Sequence, residues 1–232
     1  NTMPDKSKTA LITGSSAGIG AEIALQLSNC GYDVFLTGRN TERLKNHADK
    51  VKAKGFFVGN LEDISVCKEL FSTAEKTLGR IDILINNAGE YIWSPVEKTS
   101  DESIEKLFKI NLQAAYILCK LAVPGMKTRR WGRIINIGSI SGSVGEANAS
   151  LYSASKAGLI GLTKALALEL AEYNITTNII NPGWVKTELC DKVFECEILD
   201  ESEQLDMIPQ KRFIHPSEVA AMVKYLVSEE AK

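Results

Sequence analysis

A tyrosine and a lysine stand four positions apart in Tyr152-Ser153-Ala154-Ser155-Lys156, inside a stretch that reads as helix. Side chains at i and i+4 share one helix face, so the phenol and the ammonium are neighbours. A cation beside a phenol stabilises the phenolate and draws the tyrosine pKa from about 10 toward neutrality, which suits the pair to general acid–base chemistry. By itself the spacing also describes a surface pair of small consequence. Its meaning depends on what accompanies it.

The first companion lies near the start of the chain. After the apolar run Thr9-Ala10-Leu11-Ile12 comes Thr13-Gly14-Ser15-Ser16-Ala17-Gly18-Ile19-Gly20, followed by the helical pattern Ala21-Glu22-Ile23-Ala24-Leu25-Gln26-Leu27. Glycines there let the main chain approach a pyrophosphate, and the N–H groups and dipole of a helix start favour its negative charge. A tight turn would also explain the glycines, but their place between a first strand and a first helix favours a dinucleotide.

The elements that must hold these residues alternate. Apolar runs predict strands near 8–13, 32–37, 55–59, 81–86, 132–138 and 175–181, and amphipathic stretches predict helices near 18–29, 41–53, 64–78, 101–127, 150–172 and 216–228. That alternation predicts an α/β chain, a single-domain doubly wound parallel sheet with helices on both faces, the Rossmann fold, whose ligands sit at the carboxyl ends of the strands. No linker, repeat or low-complexity tract divides the 232 residues, so one domain over 1–232 is expected.

Composition narrows the function. A net charge of -2 with acids and bases interspersed leaves no footprint for nucleic acid or an anionic membrane. Apolar runs too short for a bilayer and an N-terminus without the core of a signal peptide predict a cytoplasmic protein. Asn1 and Thr2 ahead of Met3 read as an added remnant. The five cysteines, Cys30, Cys67, Cys119, Cys190 and Cys196, fit neither a disulfide framework nor a metal site. Of the two histidines, His47 and His215, neither lies near a nucleophile, which excludes a Ser-His-Asp hydrolase, and His215 before Pro216 reads as loop.

Thr13-Gly14-x-x-x-Gly18-Ile19-Gly20, Asn86-Asn87-Ala88-Gly89, Asn111, Ser139, Tyr152-x-x-x-Lys156 and Asn181-Pro182-Gly183, in this order, resemble the short-chain dehydrogenase/reductase family from about residue 8 onward. The nearest-looking relatives are the 3-oxoacyl-carrier-protein reductases, through 132–139 and 155–161. The resemblance implies that Ser139 positions a substrate carbonyl, Tyr152 transfers the proton, Lys156 lowers the Tyr pKa and holds the nicotinamide ribose, and Asn111 holds water in a proton relay. Ser139 would otherwise read as a turn serine, and Asn111 as a satisfied core amide. The resemblance also implies cofactor contacts from Gly14, Ser15, Ser16, Gly18, Ile19 and Gly20 at the pyrophosphate, from Asn60 and Leu61 at the adenine, and from Asn87, Ala88 and Gly89 along the cleft. Pro182, Gly183, Val185 and Thr187 would close over the nicotinamide, with Trp184 beside them or in the core. Asn60 departs from the Asp more usual there. The family's sheet also ends in one more short strand, for which Ser228-Glu229-Glu230-Ala231-Lys232 leaves no room.

Cofactor choice turns on the end of the second strand, where an NAD enzyme places an acid and this chain has Gly38-Arg39. A guanidinium matches a 2′-phosphate, so NADP (NADPH) is expected, with NAD possible because Ala17 stands where many NADP-preferring relatives have a second base. A solvated surface role is the alternative for Arg39. Residues 188–214 are expected to form a substrate lid lined by Leu189, Val193, Phe194, Ile198, Leu199, Leu205, Met207 and Ile208, with 90–93 as an aromatic wall. The expected reaction is hydride transfer between nicotinamide and a carbonyl or secondary alcohol. A 3-oxoacyl thioester substrate would bring an acyl carrier protein as partner, landing on Arg129 and Arg130, although Tyr173 replaces a second Arg there. Dehydrogenation of a small alcohol, sugar or steroid-like substrate and a non-catalytic dinucleotide sensor are the alternatives. Family habit and the apolar residues Leu112, Ala115, Ile117, Leu118, Leu159, Leu162 and Leu166 predict a homotetramer or homodimer.

Overall fold

The computed structural model describes residues 7–195 and 199–231. Along the chain run β1 (Thr9–Ile12), α1 (Gly18–Asn29), β2 (Asp33–Gly38), α2 (Thr41–Lys50), β3 (Gly55–Val58), α3 (Ile64–Leu78), β4 (Ile83–Asn86), α4 (Asp101–Phe108), α5 (Ala114–Arg129), β5 (Gly132–Ile137), α6 (Ser141–Val144), α7 (Ser150–Leu170), β6 (Ile175–Ile180), α8 (Glu188–Glu195), α9 (Glu201–Met207) and α10 (Pro216–Leu226). The strands form one parallel sheet in the order β3-β2-β1-β4-β5-β6. This is the doubly wound sheet that the alternation predicts.

Period-two patterning inside the apolar strands sorts side chains onto two faces. Ala10, Ile12, Ile83, Ile85, Ile135 and Ile137 pack with Ile23, Leu27 and Leu44 of α1 and α2 and with Val219 and Val223 of α10. Leu11, Phe35, Leu84 and Ile134 pack on the opposite face with Leu70 and Phe71 of α3 and Leu118 of α5. A sheet so covered exposes its strand ends alone to a ligand. The order reverses between β1 and β4, and the loops after them carry Gly14 and Gly89.

Three features of these elements bear on function. The helix read over 101–127 is interrupted by a π-turn at Lys109–Gln113, with Asn111 in its middle. Such wide turns open a helix locally and favour functional positions. The segment 188–214 contains α8 and α9, and Cys196 and Ile198 lie outside the described residues. His215 lies in the loop before α10, as expected, and from there caps that helix reciprocally with Glu218.

Candidate functional site: a nucleotide groove leading to a Ser–Tyr–Lys cluster

The glycine-rich turn leaves β1 at Gly14, whose φ of 62° lies in the left-handed region. A Cβ on Gly14 would stand 2.9 Å from Ala88 Cα, and one on Gly20 would stand 2.3 Å from the Gly14 carbonyl oxygen. The turn is pinned from the end of β4. Thr13 Oγ1 accepts the main-chain N–H of Asn87 and of Ala88, each at 2.9 Å, and Asn87 Nδ2 donates to the carbonyls of Thr13 and Gly14. Ser15 is fully buried, its hydroxyl joining Ile12 and Thr37, so this side chain serves the β1–β2 junction and not a groove.

A groove opens over these strand ends, lined by Gly14, Ser16, Gly38, Arg39, Leu61 and Ala88, and continues to Gly89, Glu90 and Ile110. Asn60 is exposed beside it, and Ile19 is half-buried in the first turn of α1. Thr187 stands over the glycine turn, its methyl 3.3 Å from where a Gly18 Cβ would lie. Pro182 O accepts the N–H of Ile140, Gly183 is exposed, and Val185 directs its side chain into the core while its main chain bridges to Ile214.

The groove fits a nicotinamide dinucleotide. Its floor at Gly89 is open only because no side chain is there, since a Cβ would lie 3.1 Å from Asn111 Oδ1 and 3.5 Å from Lys156 Nζ. An anion-tolerant turn lies at one end, a guanidinium at its edge, and the Tyr–Lys pair beyond the other.

Lys156 is buried on α7, and its Nζ donates to the Ile137 carbonyl at 2.9 Å. Burial pushes its pKa down to about 8. The Nζ lies 5.7 Å from the centroid of the Tyr152 ring. Tyr152 is not drawn toward neutrality as the sequence predicts. Burial pushes it up to about 12, a hydrogen bond with Ser139 pulls it down, and the negative charge of Glu146 raises it further. Desolvation of the buried phenol outweighs the hydrogen bond with Ser139, and the charge of Glu146 adds to it.

Glu146 organises the other side of the tyrosine. Its Oε2 accepts from Ser141 Oγ at 2.7 Å, Ser141 Oγ accepts from Ser139 Oγ at 3.1 Å, and Glu146 Oε1 accepts from Tyr91 OH at 2.6 Å. Tyr91 packs edge-on against Tyr152 with ring centroids 4.9 Å apart. From Tyr91 the aromatic contacts continue through Trp184 to Phe194 and Phe213. Trp184 is therefore part of an aromatic path from Tyr152 to the segment 188–214, and Tyr91 joins the wall expected of 90–93. Glu90 does not: its carboxylate turns to the groove, pairing with Arg39 and, at 2.9 Å, with Lys106.

Asn111 is brought to this cluster, but its amide is fully engaged. Oδ1 accepts the N–H of Glu90, and Nδ2 donates to the Glu90 carbonyl and to Ser155 Oγ. Ser155 Oγ in turn donates to the Tyr152 carbonyl at 2.7 Å. The two arginines expected to receive a carrier protein have partners away from the cluster. Arg129 reaches Ile81 O and Asp82 at the start of β4, and Arg130 bonds Glu172 O, so both lie at the amino edge of the sheet, opposite the cluster.

Lys106 and Glu146 escape a motif reading, and the motifs give Thr13, Glu90 and Ser155 none of these bonds, although an acid inside the glycine-rich loop before Tyr152 is a visible oddity. Cys67, Cys119 and Cys190 are buried, which pushes the Cys67 and Cys190 thiols up to about 11 and Cys119 to about 12. No metal-binding group of acids, histidines and cysteines exists among the described residues.

The family model for short chain dehydrogenases matches residues 8–197. The chain belongs to this family. It is 38% identical over 231 residues to the 3-oxoacyl-[acyl-carrier-protein] reductase FabG of Buchnera aphidicola, covering 99% of this chain and 93% of that one. It is 36% identical over 244 residues to the D-beta-hydroxybutyrate dehydrogenase of Cupriavidus necator, covering 97% and 92%. A crystal structure of an actinorhodin polyketide ketoreductase variant with NADPH superimposes with a TM-score of 0.93 at 34% identity, covering 99% of this chain and 94% of that one. This short-chain dehydrogenase is thus an oxidoreductase built on the sheet described above.

Proposed function

We propose that this protein is an NADP-dependent carbonyl reductase whose substrates include 3-oxoacyl thioesters. The observation that carries the reading is the convergence of Ser139, Tyr152 and Lys156 at the end of a groove floored by Gly89 and edged by Arg39. Similarity to a 3-oxoacyl-carrier-protein reductase and to a ketoreductase solved with NADPH supports the substrate class and the cofactor.

Reduced nicotinamide, when bound, supplies the hydride. Gly14, Ser16, Gly18, Ile19 and Gly20 would hold the pyrophosphate, Arg39, Asn60 and Leu61 the adenosine end, Ala88 and Gly89 the middle, and Pro182, Gly183, Val185 and Thr187 the far end. Ser139 orients the carbonyl oxygen by hydrogen bonding. Tyr152, protonated at neutral pH, donates its proton to that oxygen as negative charge develops. Lys156 is the cation beside the resulting phenolate. Asn111 acts as a positioning residue, holding Glu90 and Ser155.

Residues 188–214 serve as the substrate lid, tied to the body through Lys186, which pairs with Asp191 at 2.9 Å and Glu201 at 3.1 Å. Tyr116 and Leu168, exposed on α5 and α7, suit a homo-oligomer. No described helix is long and apolar enough to cross a membrane, and we place the protein in the cytoplasm.

A second reading, oxidation of a small secondary alcohol, is favoured by the engagement of Arg129 and Arg130 at the far end of the sheet from Tyr152. Initial rates on a 3-oxoacyl thioester, small ketones and steroid ketones with NADPH and NADH, and on small hydroxy acids and sugars with NADP+ and NAD+, test both. Fastest turnover of the thioester with NADPH is expected. Turnover confined to small hydroxy acids or sugars would establish the second reading, and no turnover on any substrate would leave a dinucleotide sensor.

A further inference from the structure

Arg39, at the end of β2, is the guanidinium that a 2′-phosphate needs, and its Nη1 is already bound to Glu90 Oε1. Glu90 follows Gly89 after β4, so the pair ties the ends of two strands over the groove that both residues line. The carboxylate is only 18% exposed, whereas Arg39 is 61% exposed. Its other oxygen is held by Lys106 of α4 at 2.9 Å. Burial opposes ionisation of Glu90, but the hydrogen bonds from Lys106 and Arg39 prevail and its pKa lies below the usual value. The main chain of Glu90 cannot drift, because Asn111 bonds both its N–H and its carbonyl.

We infer that Glu90 is a specificity-determining residue for the cofactor: its carboxylate occupies Arg39 in competition with the 2′-phosphate of NADP(H), and Lys106 receives that carboxylate when the phosphate displaces it. This rests on the reading of Arg39 as the 2′-phosphate contact. A 2′-phosphate must break the Arg39–Glu90 pair and then sit near a fixed negative charge. A nucleotide with a free 2′-hydroxyl meets neither obstacle. The competition therefore narrows the preference for NADPH without touching the hydride-transfer end of the groove. Lys106 sets how much it narrows, since a carboxylate with a second cation is released from the first at lower cost.

Equilibrium dialysis with adenosine 2′,5′-bisphosphate and AMP as probes, alongside NADPH and NADH, tests this without turnover. Glu90→Gln keeps the main-chain bonds to Asn111 and is expected to tighten binding of the bisphosphate and NADPH about tenfold, leaving AMP and NADH within about twofold. Lys106→Ala is expected to act in the opposite sense, weakening the 2′-phosphorylated probes alone. It reports independently if the Glu90 variant folds poorly. Glu90→Gln binding that is unchanged, or changed alike with and without the 2′-phosphate, overturns the inference. Arg39→Ala separates the two levels. If it weakens NADPH while Glu90→Gln does nothing, the competition alone is wrong. If Arg39→Ala has no effect on NADPH, the cofactor reading fails and the inference falls with it.

Discussion

Asn111 grips Glu90 with both ends of its amide, accepting the Glu90 N–H at 2.8 Å and donating to the Glu90 carbonyl at 2.9 Å. The grip is available because the π-turn at Lys109–Gln113 sets Asn111 apart from the regular helices on either side. A third bond, to Ser155 Oγ, extends it to the Tyr152 main chain. One side chain thereby joins the nucleotide groove to the proton-donating tyrosine.

Replacing Asn111 by Ala should therefore disturb both functions together. It leaves the N–H and carbonyl of Glu90 without their partner, at about 1–3 kcal/mol for each buried group. We expect a loss of at least tenfold in kcat together with weaker NADPH binding, and a melting temperature lower by about 4 °C or more. Dialysis and single-turnover rates read the two effects separately. A purely catalytic water-holding role would lower kcat and leave nucleotide affinity intact.

Thr13→Val is nearly isosteric and tests the pinning of the glycine turn. The substitution removes the acceptor for two main-chain N–H groups, Asn87 and Ala88. Destabilisation of about 2–4 kcal/mol is expected in urea unfolding, with the m-value unchanged. A loss below about 0.5 kcal/mol would mean that these N–H groups find other partners.

Tyr152→Phe keeps the ring that packs against Tyr91 and removes the proton. Turnover should fall by about 10²–10⁴-fold or more while NADPH still binds. Wild-type kcat in this variant would eliminate Tyr152 as the acid, and with it the role given to Ser139.

Local chemistry explains how much was legible beforehand. Each strand end lies within about two residues of its apolar run, because a doubly covered sheet buries every residue of β1, β4 and β5 and so fills them mostly with apolar side chains. Gly14, Gly20 and the Tyr152–Lys156 spacing depend on main-chain geometry that neighbours in sequence dictate. Side-chain pairings across the fold leave no such trace. Arg39 meets Glu90 from 51 positions away, and Arg129 disappears into a bond with Ile81 O. The π-turn is equally hidden, since one extra residue in a turn hardly alters a helical apolar pattern over 101–127. The raised Tyr152 pKa has the same origin, for it follows from burial of the phenol and from the charge of Glu146, neither of which the motif contains.

Glu146 also makes the pH dependence testable. Alcohol oxidation needs the Tyr152 phenolate as proton acceptor, whereas carbonyl reduction needs the phenol. With the Tyr152 pKa pushed up to about 12, the phenol predominates throughout the neutral range and the phenolate fraction rises tenfold with each pH unit. The charge of Glu146 raises that pKa, so Glu146→Gln must lower it and enlarge the phenolate fraction at any pH below the midpoint. Tyr91 and Ser141 contact Glu146 through hydroxyls, which accept as readily as they donate, so the amide can keep both bonds. We expect kcat/KM for oxidation to rise by about threefold or more at fixed pH, with its rising limb displaced toward lower pH, and reduction near neutrality to change little. Displacement toward higher pH, or equal changes in both directions of reaction, would show that another group controls the proton.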